Sequence, residues 1–299
     1  MIDSWIVVAA YLLGDYEKQM AVPGETQYAG YIRANHRRVF PKLVDQSQYN
    51  RLARNLRYLV EQLRRAWLAL LGVDDPKRLL VDTKHIPVMG YKRSKSHSDF
   101  AGSAAYGHCA ASNLNYFGYK LVMLTSLGGL PLVYDLVPAN TDERDAADVL
   151  LQRVKECDIF GDKGIIGDAW QAQIRQQTDN RVWTAKRANQ ALQNPSEFDR
   201  LSASSREHIE DTFHCIQNTG RNIERLLTNT VHDLSPRVIL KVTCLVLKRL
   251  WYRFPIPLSS AWTCPHRFRL RGHGPRRSTI QIGIAAEHER REMISLFLP

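Results

Sequence analysis

The stretch Leu79-Leu80-Val81-Asp82-Thr83-Lys84-His85-Ile86-Pro87-Val88 decides the fold of this 299-residue chain. An apolar entry is followed by alternating apolar and polar residues, which is the pattern of a β-strand. Helical periodicity dominates the sequence before this stretch, whereas strand and helix patterns alternate after it. The stretch therefore predicts the first strand of an α/β domain, with the acidic residue Asp82 inside it.

The residues after this strand predict a mixed sheet. Strands are expected at 119–125 and 130–137, and Gly128-Gly129 between them is typical of a hairpin turn. A hairpin followed by alternating strands and helices favours a mixed sheet over an all-parallel one. The later predicted elements are a helix at 142–155 capped by Thr141, a strand at 157–161, a helix at 168–177, a strand at 181–186, helices at 205–227 and 236–251, and polar loops at 91–112 and 189–204.

The first 75 residues have helical periodicity and a basic surface. Helices are predicted at 6–13 and 26–39, and Ser47 is expected to cap a long third helix. The apolar stripe of this helix comprises Tyr49, Leu52, Leu56, Leu59, Leu63, Trp67 and Leu70. Its polar face comprises Gln48, Asn50, Arg51, Arg54, Arg57, Arg64 and Arg65. A basic helical unit with Gln, Asn and Arg at a helix start resembles a helix-turn-helix DNA reader, and the alternative is the solvated face of an ordinary packing helix.

The composition limits the class of protein. Lys and Arg total 41 against 30 Asp and Glu, a formal net charge of +11, which favours a polyanionic partner such as nucleic acid over a basic surface kept for solubility. A hydrophobic content of 44% excludes disorder. The five cysteines are scattered and form no CxxC pair, which argues against a disulfide scaffold or zinc ribbon and suits a reducing cytosol. The longest apolar runs, 6–13 and 242–247, are too short to span a membrane.

Three acids stand out by their positions. Asp82 lies in the first strand, Asp162 ends the fourth predicted strand, and Glu210 lies at the edge of the apolar stripe of a late helix. If the first and fourth strands are neighbours, these carboxylates converge, and convergent carboxylates bind hard divalent cations such as Mg²⁺. For each acid alone, the alternative is a turn residue, a cap or a solvated helix residue.

Four stretches give the sequence a resemblance to a known family. It resembles the DDE transposases of bacterial insertion sequences, specifically the insertion-sequence 982 group within the insertion-sequence 4-like set, over about residues 4–257. The order of the three acidic motifs is specific, although each motif alone is weak. The four stretches are 40–51, Leu80-Val81-Asp82-Thr83 with Ile86-Pro87-Val88, Ile159-Phe160-Gly161-Asp162-Lys163-Gly164, and Arg206-Glu207-His208-Ile209-Glu210-Asp211-Thr212-Phe213.

This resemblance implies an RNase H-like mixed β-sheet flanked by helices and preceded by a helical DNA-binding region. It implies that Asp82, Asp162 and Glu210 bind two Mg²⁺ ions, with Mn²⁺ as a substitute, for DNA cleavage and strand transfer. The implied partners are DNA, as element ends and target, and further copies of the chain in the active complex. We expect a cytoplasmic, nucleoid-associated protein without a membrane segment. The expected DNA contacts are Gln48, Asn50, Arg51, Arg54, Lys92, Arg93, Lys163 and Arg206.

The predicted organisation is a helical DNA-binding region at 1–75, a catalytic domain at 76–258, and a basic tail at 259–299 with seven Arg and no Lys. The tail either contacts the DNA backbone or has no selected role. Where the family often has Lys or Arg two turns after the glutamate, this chain has Gln217. The abrupt start and the Arg-rich end fit a truncated or frameshifted copy. The alternatives to an active transposase are an inactive DNA-binding remnant or regulator, and a nuclease that does not join strands.

Overall fold

The computed structural model describes residues 38, 44–73, 76–92, 95–110, 113–184, 194–218, 223 and 228–254. The predicted helices at 6–13 and 26–39 and the tail at 259–299 lie outside these ranges. None of the described helices is long and apolar enough to cross a membrane. The elements in the described ranges are α1 Gln46–Asn55, α2 Arg57–Leu70, β1 Arg78–Met89, β2 Ala105–Cys109, β3 Leu114–Ser126, β4 Pro131–Pro138, α3 Glu143–Leu151, β5 Asp158–Gly161, a 3₁₀ turn Lys163–Ile165, α4 Asp168–Thr178, β6 Arg181–Thr184, α5 Ser196–Asn218 and α6 Val231–Arg253.

The strand predicted around Asp82 is the centre of a mixed six-stranded sheet. β1 pairs antiparallel with β3 on one edge and parallel with β5 on the other, and β6 continues the sheet parallel to β5. β3 pairs antiparallel with both β2 and β4 along its other edge. Helices flank this sheet, so the predicted α/β fold class with a mixed sheet is confirmed.

Alternation along the strands sends side chains to two separate cores. Leu79, Val81 and Ile159 pack against α3 on one face of the sheet. Leu80, Phe160 and their neighbours pack against α5 and α6 on the other face. Because Asp82 follows Leu80 by two residues, it lies on the face covered by α5. The alternation that identifies the strand thus also fixes which helix can reach Asp82.

The long third helix of the prediction is two helices that meet at Leu56. The N-cap of α1 is Asp45, whose carboxylate accepts from the backbone N–H of Gln48 at 2.9 Å, and it is not Ser47. The buried face of α2 differs from the predicted apolar stripe, since its buried residues are Val60, Arg64, Trp67 and Leu68. Leu70 is 43% exposed, whereas Arg64, assigned to the polar face, is 1% exposed. The predicted stripe consists of apolar residues alone, so it cannot include a buried arginine.

Three other predicted boundaries differ from the structure. The stretch predicted as a loop at 91–112 contains β2, a short edge strand without apolar alternation. α5 begins at residue 196 and not at 205, because Pro195 lies at its start, where its carbonyl accepts from the N–H of Phe198 at 2.9 Å. α6 begins at Val231, after the N-cap Thr230, and includes Pro236 near its beginning.

Gly118 provides a test of how tightly β1 and β3 pair. It lies opposite Pro87, and a Cβ at this position would overlap the backbone carbonyl oxygen of Ile86. We expect Gly118→Ala to lower the free energy of unfolding by about 2–3 kcal/mol, since backbone cannot move aside as a flexible side chain can. Gly128→Ala is the matched control, because its Cβ would meet only the Ser126 hydroxyl at 3.9 Å. Equal urea midpoints for the two variants would contradict this packing.

Candidate active site

Asp82 and Asp162 are neighbours because of the register of two parallel strands. Val81 of β1 pairs with Gly161 of β5, and each aspartate is the next residue along its chain. Adjacent strands lie about 4.8 Å apart, so the two carboxylates leave the sheet side by side. Asp82 is partly buried, and its Oδ1 accepts from the backbone N–H of Thr83 at 2.7 Å. The backbone register therefore places the first two predicted acids next to each other at the same edge of two neighbouring strands.

Helix α5 is fixed on the sheet by two kinds of contact. Ile209 and Phe213 are buried in the core shared with Leu80 and Phe160. The hydroxyl of Thr212 donates to the carbonyl oxygen of Gly129, in the β3–β4 turn, at 2.6 Å. Gly129 has a φ of +79°, and a Cβ there would lie 2.6 Å from the Thr212 hydroxyl oxygen, so glycine allows both the turn and the approach of the helix.

Arg206 joins Asp162 to Glu210. Its Nη1 and Nη2 donate to Oδ1 and Oδ2 of Asp162 at 3.0 and 3.2 Å, and its Nε donates to Oε1 of Glu210 at 3.2 Å. Arg206 and Glu210 lie one turn apart on α5, so the same helical face carries the cation and the third predicted acid. Asp211 is exposed and lies about 100° further around the helix. The structure thus connects Glu210 to Asp162 through a guanidinium group.

The electrostatic environment of Asp82 favours its neutral form. The pKa of Asp82 is raised to about 6, mainly by burial and in smaller part by the nearby charges of Asp162 and Glu143. The hydrogen bond from the Thr83 N–H and the charge of Arg206 act in the opposite direction. Because burial is the largest cause, the raised pKa marks Asp82 as a carboxyl group held out of water beside other charged groups, which is a common feature of functional sites.

Glu143 is an acid of this site that the sequence analysis missed. It is the first residue of α3, and a Cβ on Gly164 would overlap its carboxylate, so that carboxylate rests on the turn after Asp162. In the sequence Glu143 follows the N-cap Asp142 and is typical of an acidic first-turn residue. Only the spatial approach of α3 to the end of β5, which no local pattern encodes, could have revealed it.

Comparison with known proteins gives the family. The transposase DDE domain matches residues 73–247, which is more than half of the chain and includes Asp82, Asp162 and Glu210. The chain belongs to the DDE transposase family. A search of curated protein sequences finds no match.

Two solved structures show a distant likeness to this transposase. The first, "Mos1 transposase paired-end complex with left transposon end", is 12% identical with a TM-score of 0.23, and the match covers 67% of this chain and 80% of the other. The second, "Crystal structure of a pre-cleavage Mos1 transpososome", is 15% identical with a TM-score of 0.22, covering 75% and 79%.

The donor set of the transposase fits a hard divalent cation, although the carboxylates do not form a closed cluster. Among the described residues, no three His, Cys, Asp or Glu side chains are arranged to hold a metal ion. The expectation that all three carboxyl groups approach closely without metal is therefore not met, because the Arg206 guanidinium lies between Asp162 and Glu210. Oxygen donors at Asp82 and Asp162, beside a position that already accommodates a positive charge, are what Mg²⁺ requires.

The residues of the transposase that were predicted to contact DNA differ from one another in exposure and in hydrogen-bond partners. Arg51 and Lys92 are exposed, whereas Arg54 donates to Asp233 of α6 at 3.3 Å. The side chains of Asn50 and Lys163 and the whole of Arg93 lie outside the described part of the chain. Gln217, at the position where a basic residue was expected, accepts a hydrogen bond from Lys84 of β1 at 3.1 Å.

The raised pKa of Asp82 gives the metal-free transposase a specific pH dependence. The folded protein binds this proton more tightly than the unfolded chain, so the contribution of Asp82 to stability falls as pH rises from about 4 to about 6. We expect Asp82→Asn to become more stable relative to the parent protein over this range, by at most about 3 kcal/mol. Urea denaturation at several pH values with a chelator measures the difference. A difference that does not change with pH would contradict the raised pKa of Asp82.

Proposed function

We propose that this transposase cuts DNA at the ends of an insertion sequence and joins the freed 3′ hydroxyl to target DNA, using two Mg²⁺ ions held by Asp82, Asp162 and Glu210. The observation that supports this proposal most strongly is the parallel pairing of β1 and β5, which sets Asp82 beside Asp162. When bound, two ions would stabilise both the attacking and the leaving oxygen of a phosphoryl transfer. Mn²⁺, with similar oxygen preferences, would substitute.

The three acids of the proposed site differ in the structural element that carries them and in their exposure to solvent. Asp82 lies in the central strand β1, where its backbone pairs with Met123 of β3. Asp162 follows β5 and begins a short 3₁₀ turn, with 48% of its side chain exposed to incoming DNA. Glu210 is 63% exposed on α5, where a change of rotamer can bring its carboxylate toward the other two. Two fixed ligands and one adjustable ligand suit a site that closes around a bound substrate.

The proposed partner is DNA, and its backbone is the target of the basic residues. The net charge of +11 favours a polyanion, and exposed Arg51 on α1 is available for phosphate contact. Because the two ends of an element are processed together, we also propose that several copies of the chain assemble in the active complex, at the nucleoid in the bacterial cytoplasm. The helical region that ends near residue 75 would provide end recognition, and the tail at 259–299 would add backbone contacts.

The assignment of α1 to DNA can be tested through its salt dependence. Arg51→Ala should weaken DNA binding and reduce the slope of log affinity against log salt by about one unit, since one phosphate contact is lost. Arg54→Ala should have the additional effect of breaking the ion pair with Asp233. Arg175→Ala, an exposed substitution on α4, is the control. Fluorescence anisotropy at four salt concentrations measures the slope, and an unchanged slope for Arg51→Ala would overturn the assignment.

The catalytic proposal is tested by a nicking and joining assay. The full chain is incubated with a plasmid that carries the DNA flanking its own gene, with Mg²⁺, Mn²⁺ or a chelator. We expect metal-dependent nicks at short inverted repeats and transfer of the 3′ ends to a second plasmid. Nicking without joining would favour a nuclease. DNA binding without nicking in either metal would favour the alternative, an inactive DNA-binding remnant or regulator.

A further inference from the structure

Arg206 lies between Asp162 and Glu210, which are two of the proposed metal ligands. Its guanidinium binds both carboxylate oxygens of Asp162 and one of Glu210. Its side chain is 55% exposed and contributes to neither core cluster. Within the described part of the chain, the hydrogen-bond partners of this arginine are the acids themselves, and its placement is explained by their charge and not by packing.

A bidentate guanidinium competes directly with a metal ion for the same oxygens. Both Asp162 oxygens receive hydrogen bonds from Arg206, so a cation that binds them must displace the arginine. Without Arg206, the charges of Asp162, Glu210, Asp82 and Glu143 would face one another without compensation. The arginine thus reduces repulsion in the metal-free protein and at the same time opposes loading of the metal.

DNA offers Arg206 a second partner of the same geometry. A phosphate accepts two parallel N–H bonds from a guanidinium as a carboxylate does. Arg206 is exposed beside the acids, where the phosphate to be cut would lie, so bound DNA can take the arginine from Asp162. Release of Asp162 and Glu210 would then make their oxygens available to the metal ions.

We propose that Arg206 is a positioning residue that couples metal binding to DNA binding: it holds Asp162 and Glu210 in the metal-free transposase and passes to a DNA phosphate when substrate arrives. This inference rests on the proposed function, because it assumes that the two acids are metal ligands. Coupling of this kind is reciprocal, so DNA strengthens metal binding by the same factor by which metal strengthens DNA binding. A transposase built in this way loads its metal ions mainly where there is DNA to cut.

The test measures Mn²⁺ affinity of the full chain by electron paramagnetic resonance, with and without a duplex from the flanking DNA, after subtracting binding to the duplex alone. We expect Arg206→Gln to bind Mn²⁺ at least about tenfold more tightly than the parent protein without DNA, and to lose the tightening that DNA gives the parent. Arg206→Lys keeps the charge but not the bidentate geometry, so its Mn²⁺ affinity should lie between those of the parent protein and Arg206→Gln. Arg200→Ala is the matched control, since Arg200 lies on the same helix, is exposed and donates, among the described residues, to the Ser196 carbonyl oxygen at 3.4 Å.

Equal or weaker Mn²⁺ binding by both Arg206 variants, with thermal unfolding showing folded protein, would overturn the coupling. If Arg206→Gln does not fold, Arg206→Lys decides the question by the same comparison. The proposed function fails separately, if Asp162→Asn still nicks DNA. Loss of nicking in Asp162→Asn together with unchanged Mn²⁺ affinity in the Arg206 variants would remove the coupling and leave the catalytic proposal standing.

Discussion

Asp82→Asn is expected to reduce metal-dependent DNA nicking by at least about 10³-fold, equivalent to about 4 kcal/mol of transition-state stabilisation. Asn keeps the shape of the side chain but removes the negative charge that a divalent cation requires at the centre of the site. Affinity for DNA should change little, because binding depends on Lys and Arg and not on this partly buried acid. The measurement is the initial rate of nicking at saturating Mg²⁺, paired with DNA affinity in a chelator.

Asp211→Asn is the control for the loss of one acid from the same region. Asp211 is exposed and points away from the arginine that joins Asp162 to Glu210. We expect nicking within about twofold of the parent rate, well under 1 kcal/mol. Equal rates for Asp82→Asn and the parent protein would contradict the assignment of Asp82, and a large loss in the Asp211 variant would contradict the choice of Glu210 over its neighbour.

Arg64→Met is expected to lower the free energy of unfolding by about 2–4 kcal/mol. Arg64 donates to the carbonyl oxygens of Pro131 and Leu132 at 2.7 and 3.0 Å, at the start of the edge strand β4, and to Glu61 at 2.6 and 2.9 Å. Met replaces the apolar stem but leaves these carbonyls without a donor. Chemical denaturation of the metal-free protein gives the difference.

Arg65→Met tests whether burial or charge determines how much an arginine bound to Glu61 contributes to stability. Arg65 also donates to Glu61, at 3.1 Å, but its side chain is 75% exposed, compared with 2% for Arg64. Burial alone would raise the pKa of Glu61, and hydrogen bonds from Arg64, Arg65 and Tyr134 lower it below its usual value. We expect Arg65→Met to cost less than about 1 kcal/mol, since exposed ion pairs contribute little. Equal losses for the two variants would show that charge and not burial sets the stability.

The sequence predicts the parts of this transposase that depend on local pattern. Alternation from Leu79 to Val88 identifies β1, and the Gly128-Gly129 turn identifies the β3–β4 hairpin, because each signal lies within the element itself. The adjacency of Asp82 and Asp162 follows from the expected pairing of two buried strands. Glu210 stands out in the sequence only by its place at the edge of an apolar stripe, and the family resemblance adds the implied role as a metal ligand.

The remaining features depend on partners that are distant in the chain. The sequence pattern assigns Arg64 to the polar face of a predicted helix. Its burial is explained by hydrogen bonds to backbone carbonyl oxygens 67 and 68 residues away in the chain. Arg206 was expected to contact phosphate, and its link to Asp162 spans 44 residues. Periodicity reports the environment of a residue averaged over its own helix, so it cannot identify a cation that is buried or held by a single distant partner.

The proposed metal site is tested most directly by locating Mn²⁺ in crystals of the transposase bound to duplex DNA from its flanking sequence. Anomalous scattering at the manganese edge identifies the ion without reference to any assumed ligand. The expected result is manganese bound by Asp82 and Asp162, with Glu210 completing the site and Arg206 displaced from Asp162. Manganese bound elsewhere, or none at these acids while DNA occupies the protein, would contradict the claim that they form the metal site of a DNA-cutting enzyme.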